Sequence, residues 1–291
     1  MKLSQIALVV ALSAVTAFAV GKYTPATAPS AAKQETAFER VMRTGTLRCG
    51  YYVFAPATIR DPNTGKLSGL SIDMMEKIAQ RAGIKVEWTE EVTFSNWVLP
   101  LQGNRFDAAC TPMWPEIPLA KAVSFTEPLF YAGLYPLVRA DDTRFADDQS
   151  RLNAPDVTFL TQDGNATDIL ARDAFPNAKF YTVSAMVSGG EYYQSILAKK
   201  ADAVLTDRNL LAQFKKMNGE TLRFVDSNHP VKVQAFSLVV GQNEMLLKNF
   251  LDQAIHELNN NGDMDRILRK WEDEPGLTYL RVAPPFGQTG R

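Results

Sequence analysis

Apolar and polar positions along this chain fall into short blocks whose period switches between two and about four. Thr46 to Tyr52 reads as a strand, preceded by a short helix over Phe38 to Arg43. Asp61-Pro62-Asn63-Thr64-Gly65 is a reversal rich in turn formers. Leu70, Met74, Ile78 and Ala82 recur every fourth position, which predicts a helix over Leu67 to Gly83 with the glycine as its stop. Ile84, Val86 and Trp88 alternate with polar residues and predict a strand from Ile84 to Glu90. A short helix capped by Ser95 and reaching Gln102 follows, with Pro100 as the residue that argues against it. The apolar run Phe106 to Cys110 closes a β-α-β-α-β series, the signature of a parallel sheet.

The second half repeats the scheme. Strands are expected at Tyr131 to Val138, Val157 to Leu160, Phe180 to Val183 and Asp202 to Thr206, and a long one at Val233 to Val240. The polar stretch Ala140 to Ser150 is the candidate crossover into a second lobe, and the Val233 strand could cross back. Helices are expected at Asp168 to Ala174, up to Lys199, and at Met245 to Leu258 and Asp263 to Trp271. Ser188-Gly189-Gly190-Glu191 has the spacing of a capping box, which gives Glu191 a structural role. One phrase occurs twice: Arg105-Phe106-Asp107-Ala108-Ala109-Cys110-Thr111, then Lys200-Ala201-Asp202-Ala203-Val204-Leu205-Thr206. Two strands of one design suggest two similar lobes sharing a cleft. Thr111-Pro112-Met113-Trp114 ends the first strand and Asp207 ends the second, and carboxyl strand ends are where open α/β sheets bind ligands.

Composition narrows the class. The 291 residues are 46% hydrophobic and 22% charged, an ordinary globular balance, and the length suits two compact units better than one core. With 31 basic and 32 acidic residues there is no basic excess to drive nucleic-acid binding. The two histidines, His229 and His256, and the two cysteines, Cys49 and Cys110, lack metal-ligand spacing, so neither a metal nor a cofactor is expected. Lys2, the apolar run Ile6 to Ala14 and Ala17-Phe18-Ala19 form an export signal over residues 1–19, too short for a spanning helix of about 20 residues. An uncleaved anchor is the alternative. Residues 20–37 read as a disordered leader. Export permits a disulfide, yet both cysteines fall in apolar strands, and free buried thiols are the preferred reading.

Several segments resemble the bacterial extracellular solute-binding proteins of the family 3 type, which serve ABC importers of amino acids and related small molecules. They are Gly65-Lys66-Leu67-Ser68-Gly69 with Asp73, and Trp97 with Leu101, Gly103 and Phe106-Asp107-Ala108. Phe125-Thr126-Glu127-Pro128, Asp202-Ala203 with Asp207, and Ala254-Ile255 through Gly262 to Lys270-Trp271 complete the set. The order holds from about residue 38 to residue 271. The resemblance implies a two-lobed periplasmic α/β protein, each lobe a mainly parallel sheet flanked by helices, joined by two hinge strands that let it close like a clamp. Residues 38–138 with 234–291 would form lobe 1, and 139–233 lobe 2. The expected partners are a small-molecule ligand and a membrane permease, with the protein itself a monomer.

By the same resemblance Phe54 stacks on the ligand, the alternative being packing on Pro56. Thr111 offers a polar contact or caps the next turn. The helix start Gly164-Asn165-Ala166-Thr167 receives a ligand carboxylate, or Asn165 and Thr167 simply cap that helix. Asp207 grips a ligand ammonium group. The sequence departs from the family where Thr-Pro-Glu-Arg is usual before an Ala-Lys pair. Here Trp114-Pro115-Glu116-Ile117-Pro118-Leu119-Ala120-Lys121 puts Leu119 in the place of the arginine that clamps an α-carboxylate, and Lys121 lacks its planar fork. Trp114 and Glu116 bring an aromatic face and an acid to the cleft, unless Trp114 is lobe packing and Glu116 a solvated loop acid. With Phe54 and Asp207 they favour a cationic or amine-bearing ligand. The rival is an enzyme on the same scaffold, of the cyclohexadienyl dehydratase type, with Glu116 as general acid and Asp207 as charge partner. The tail Glu272 to Arg291 has no place in the family pattern; it could wrap lobe 1 or stay disordered.

Overall fold

The computed structural model describes residues 35–93, 96–146, 148–163, 165–184, 186–187, 189–272 and 278–282. The export signal, most of the leader, the Ser95 and Ser188 caps, Gly164 and the rest of the tail lie outside the described residues.

The first lobe begins with α1 (Ala37–Thr44), β1 (Thr46–Tyr51) and a small hairpin of β2 (Ile59–Arg60) and β3 (Leu67–Ser68). There follow α2 (Leu70–Ala82), β4 (Lys85–Glu91), α3 (Val98–Gln102), β5 (Ala108–Met113) and β6 (Val123–Phe125). A long strand β7 (Phe130–Arg139) leads to β8 (Thr158–Gln162), α4 (Ala166–Ala174), β9 (Lys179–Val183) and α5 (Gly189–Leu197). Then come β10 (Ala203–Thr206), α6 (Arg208–Asn218) and β11 (Leu222–Phe224). A second long strand, β12 (Lys232–Gly241), returns to α7 (Met245–Asn260) and α8 (Asp263–Trp271).

The strand order β4-β1-β5-β12-β7-β10-β8-β9 explains the two lobes. At one end β1 runs parallel to β4 and β5; at the other β8 runs parallel to β9 and β10. Between them β7 and β12 are antiparallel, and each changes partner partway along. Phe130 to Leu134 pairs with β12, whereas Tyr135 to Val138 pairs with β10. Lys232 to Phe236 of β12 pairs with β7, and Ser237 to Val240 pairs with β5. The exchange of partners in β7 therefore precedes Ala140 to Ser150, and that stretch delivers Phe145 into a core with Val138, Leu152 and Phe159.

Alternation on the strands builds that second core on both faces of its sheet. Leu137, Leu160 and Val204 face Tyr192, Ile196 and Phe214 from α5 and α6. Their neighbours Val138, Phe159 and Ala203 face Ala171 and Phe175 on the α4 side. In the first lobe Met74, Ile78, Leu251 and Leu268 pack α2, α7 and α8 onto β1, β5 and β12.

The repeated phrase has a physical meaning. Asn104 and Lys199, each three residues before its aspartate, hold φ of 55° and 58° and turn the chain into the strand. Asp107 N donates to Arg48 O at 2.9 Å and its Oδ2 accepts from Arg48 N at 2.8 Å. Asp202 treats Thr158 the same way, at 2.7 and 3.0 Å. Each carboxylate also takes two guanidinium groups, Arg40 and Arg48 on Asp107, Arg139 and Arg144 on Asp202. The motif is thus a staple between neighbouring parallel strands at their amino ends, and it leaves Thr111 and Thr206 at the carboxyl ends.

Three expectations are corrected. Cys49 and Cys110 form a disulfide, with Cα atoms 5.5 Å apart. They lie on adjacent parallel strands, and because Cys49 is in register with Ala108, Cys110 points to the same face. Helix α2 starts at Leu70, because Leu67 and Ser68 belong to the hairpin. Gly69 between them has φ 125°, and a Cβ there would sit 2.4 Å from Ala57 O, so the turn demands glycine. The strand after Phe106 begins at Ala108 and continues through Pro112 to Met113.

Candidate functional site

The carboxyl ends of β1 and β5 carry Tyr52, Phe54, Thr111, Trp114 and Glu116, and those of β8 and β10 carry Asn165, Thr167, Thr206 and Asp207. Among the described residues an electrostatic interaction links the two sets. The Asp207 carboxylate acts electrostatically on the Tyr52 phenol, which burial first and this neighbouring charge second push well above its usual range. The Asp207 charge also acts on Tyr193, whose phenol, raised chiefly by burial, bonds Thr206 Oγ1 at 2.8 Å. Neither tyrosine was singled out from the sequence. Tyr52 follows the buried end of β1, and that position was its only signal.

Asp207 is 7% exposed and caps α6, its Oδ1 accepting from Leu210 N at 3.1 Å. Burial raises its carboxyl above the ordinary 3.8, against the lowering effect of the Leu210 and Asn209 amides. Among the described residues no Lys, Arg or His forms an ion pair with it. A carboxylate taken out of water without a countercharge is costly, and a cation from solution would relieve that cost.

The other candidates divide by how far their polar atoms are already engaged. Thr111 is 0% exposed; its hydroxyl lies 3.0 Å from Thr58 Oγ1 and accepts from Tyr52 N at 3.3 Å. A ligand reaching Thr111 must displace one of these partners. Phe54 is half-buried, tilted against Tyr52 at 6.0 Å between ring centroids, and bridged through its backbone to Thr58. Trp114 meets Phe236 of the hinge edge-to-face at 5.8 Å. Glu116 is half-buried, and burial raises its carboxyl. Asn165 and Thr167 serve each other: Asn165 Oδ1 accepts from Thr167 N at 3.0 Å and Thr167 Oγ1 at 2.9 Å. Among the described residues no contact joins that pair to Asp207. Leu119, in the place of the family arginine, is half-buried against the cluster of Trp97, Met113 and Val123, while Lys121 is exposed. Among the described residues no group of His, Cys, Asp and Glu is placed to hold a metal ion.

Comparison with known proteins places the fold in a family. Residues 47–274 match the family model of bacterial extracellular solute-binding proteins, family 3. A probable amino-acid ABC transporter-binding protein of Haemophilus influenzae is 26% identical over 239 residues, covering 80% of this chain and 87% of that one. The crystal structure of AncCDT-1, an ancestral amino acid-binding protein and precursor of cyclohexadienyl dehydratase, superposes with a TM-score of 0.67 at 26% identity, over 81% of this chain and 99% of that chain. A second structure of AncCDT-1, described as an ancestral cationic amino acid solute binding protein, gives a TM-score of 0.65 at 26% identity with the same coverage.

Proposed function

The chain belongs to the bacterial extracellular solute-binding proteins of family 3, and on that premise we propose that it captures an amine-bearing, amino-acid-like solute between its lobes. It then delivers the solute from the periplasm to the membrane permease of an ABC importer, acting as a monomer. Lobe 1 is assigned to residues 38–138 with 234–291 and lobe 2 to 139–233, the end of β7 from Tyr135 to Val138 being shared in that it already pairs with β10 of lobe 2, so closure bends β7 and β12. The reading rests on Asp207, a buried carboxylate at the mouth of β10 without a cationic partner among the described residues and within electrostatic reach of Tyr52 on the opposite lobe. A ligand ammonium group supplies the missing charge, and Tyr52, Phe54 and Trp114 supply aromatic surface for it. Leu119 points the same way: a site without the carboxylate-clamping arginine gains its selectivity from the amine end. The cationic ligand class ascribed to AncCDT-1 fits that chemistry.

Isothermal titration of the purified protein with L-lysine, L-arginine, putrescine and L-glutamate tests the proposal. The three cationic solutes should bind more tightly than L-glutamate, whose one ammonium comes with two carboxylates that no arginine at the Leu119 position pairs. A preference for L-glutamate, or no heat from any amine, overturns it.

One observation favours a second reading. Burial raises the Glu116 carboxyl, as a general acid requires, and AncCDT-1 is a precursor of a dehydratase. Turnover of prephenate or arogenate by the purified protein would establish that reading. The missing arginine weighs against it, since those substrates are carboxylates.

A further inference from the structure

The stretch Thr278 to Val282 lies beyond residue 274, where the family match ends, yet its backbone joins the hinge. Tyr131 N donates to Leu280 O at 2.8 Å, and Leu280 N donates to Tyr131 O at 2.7 Å, an antiparallel bridge. Strand parity fixes the edge involved. The carbonyls of Leu134 and Pro136 accept from Val231 N and Val225 N, so even-numbered residues of β7 address the side of β11 and β12. Tyr131 therefore addresses the opposite edge, which β10 occupies only from Tyr135 onward. On the lobe 1 half of the hinge Leu280 covers an edge that β10 does not reach.

Side chains anchor this bridge at both ends. Tyr279 is 3% exposed with its ring 4.6 Å from Phe130. Phe130 of β7 stacks on Phe236 of β12 at 5.0 Å, and Phe236 meets Trp114 at 5.8 Å. A file of four rings thus runs from the C-terminal segment through one residue of each hinge strand to an aromatic candidate of the cleft. Arg281 binds Asp265 of α8 at 2.8 Å and the Glu272 carboxylate, a side chain 0% exposed that also accepts from Tyr279 N at 3.1 Å. The segment is tied to lobe 1 on one side and to the moving strand on the other.

We propose that Thr278 to Val282 is a strap that restrains the hinge: it holds the first half of β7 to lobe 1, confines bending to the stretch beyond Tyr131, and positions Trp114 through Tyr279, Phe130 and Phe236. The inference rests on the clamp reading above but not on which solute is bound. A segment that merely covered the lobe 1 core would affect melting temperature alone, whereas a strap also sets the spread of inter-lobe distances.

The test uses the full ligand-free chain, with Tyr279→Ala and Leu280→Pro as separate variants. The second removes one N–H donor and leaves Tyr279 and Arg281 in place. Hydrogen exchange over residues 130–134 should rise about tenfold with the loss of one or two bridge hydrogen bonds. Spin labels at K66C and K179C, exposed positions in the two lobes, should give a broader distance distribution in both variants. If Tyr279→Ala does not fold, Leu280→Pro carries the test. Folded variants with wild-type exchange and wild-type distances overturn the strap. A wild-type distance that none of the titrated solutes moves overturns the clamp itself, so the two failures are distinguishable.

Discussion

Replacing Asp207 by asparagine should make the protein more stable and a worse binder at once. Asparagine caps a helix as well as aspartate does, so the bond to Leu210 N survives. What disappears is the buried charge. The helix amino terminus returns only about 0.3–1 kcal/mol to that charge, while an uncompensated buried ion costs a few kcal/mol. Burial wins, as the raised carboxyl indicates. A net gain of about 1 kcal/mol at neutral pH is expected, or about 2–4 °C in melting temperature. The sign with pH follows from linkage. Because the folded state favours protonated Asp207, its contribution to stability is complete below the ordinary value of 3.8 and is lost as pH rises through the higher folded value. The advantage of Asp207→Asn should therefore be greatest at neutral pH and vanish in acid. Affinity moves the other way. Truncating one partner of a buried charge pair costs about 2–5 kcal/mol, so an amine that wild type binds should bind at least about 30-fold more weakly. Wild-type affinity should rise with pH through the Asp207 transition and the variant's should not. Thermal melts from pH 3 to 8, paired with titrations of L-lysine, check both halves. Unaltered affinity, or a variant less stable at neutral pH, refutes the reasoning.

Three further predictions concern the scaffold. Asp107→Asn should cost about 3 kcal/mol in urea unfolding, because Arg40, Arg48 and the Arg48 amide lose a buried carboxylate; Asp202→Asn should cost about half as much, Arg144 being more exposed. Replacing Cys49 and Cys110 together by alanine removes a cross-link spanning 61 residues, which chain entropy values at about 4 kcal/mol; an unchanged urea midpoint would contradict this. Thr111→Val breaks the bonds to Thr58 and Tyr52 and should lower stability by about 1–2 kcal/mol, measured by the same unfolding assay.

The fold was legible because its signals are local. Alternation marked β4, four-residue spacing marked α2, and Gly83 ended that helix in the left-handed conformation with φ 67°. The repeated Asp-Ala phrase announced two lobes before its function as a staple could be known, since Arg40, Arg48, Arg139 and Arg144 reach the aspartates from other elements. Non-local pairings stayed hidden. Nothing along the chain says that Cys49 and Cys110 occupy neighbouring strands on one face, and buried apolar surroundings describe a half-cystine as well as a free thiol. Asp207 could be proposed from its place after β10, but Tyr52 enters only because the two lobes bring the ends of β1 and β10 together. The part played by Leu280 was invisible for the same reason: an edge of β7 left uncovered by β10 is a property of the sheet, not of the tail.

These pairings suggest how one scaffold separates rigidity from motion. Each staple lies at the amino end of a parallel sheet, away from the cleft, and ties its strand to the neighbouring one through both backbone and guanidinium contacts. The disulfide adds a second tie between β1 and β5, one residue before Thr111 and three before Tyr52. The cleft ends of the strands are thus held from behind, and residues there can spend their polar atoms on ligand or on each other. The proposed clamp leaves motion to β7 and β12, whose partners differ between their two halves. On the clamp reading proposed above, a strand shared by both lobes cannot pack optimally with either in every arrangement, and the inter-lobe angle is then the soft coordinate of the molecule. Asp207 follows β10, across the hinge from Tyr52 after β1, and the two interact electrostatically. On the proposed function, a cation brought to it would neutralise the buried charge in the closed arrangement, and that differential interaction is what a population shift toward closure requires.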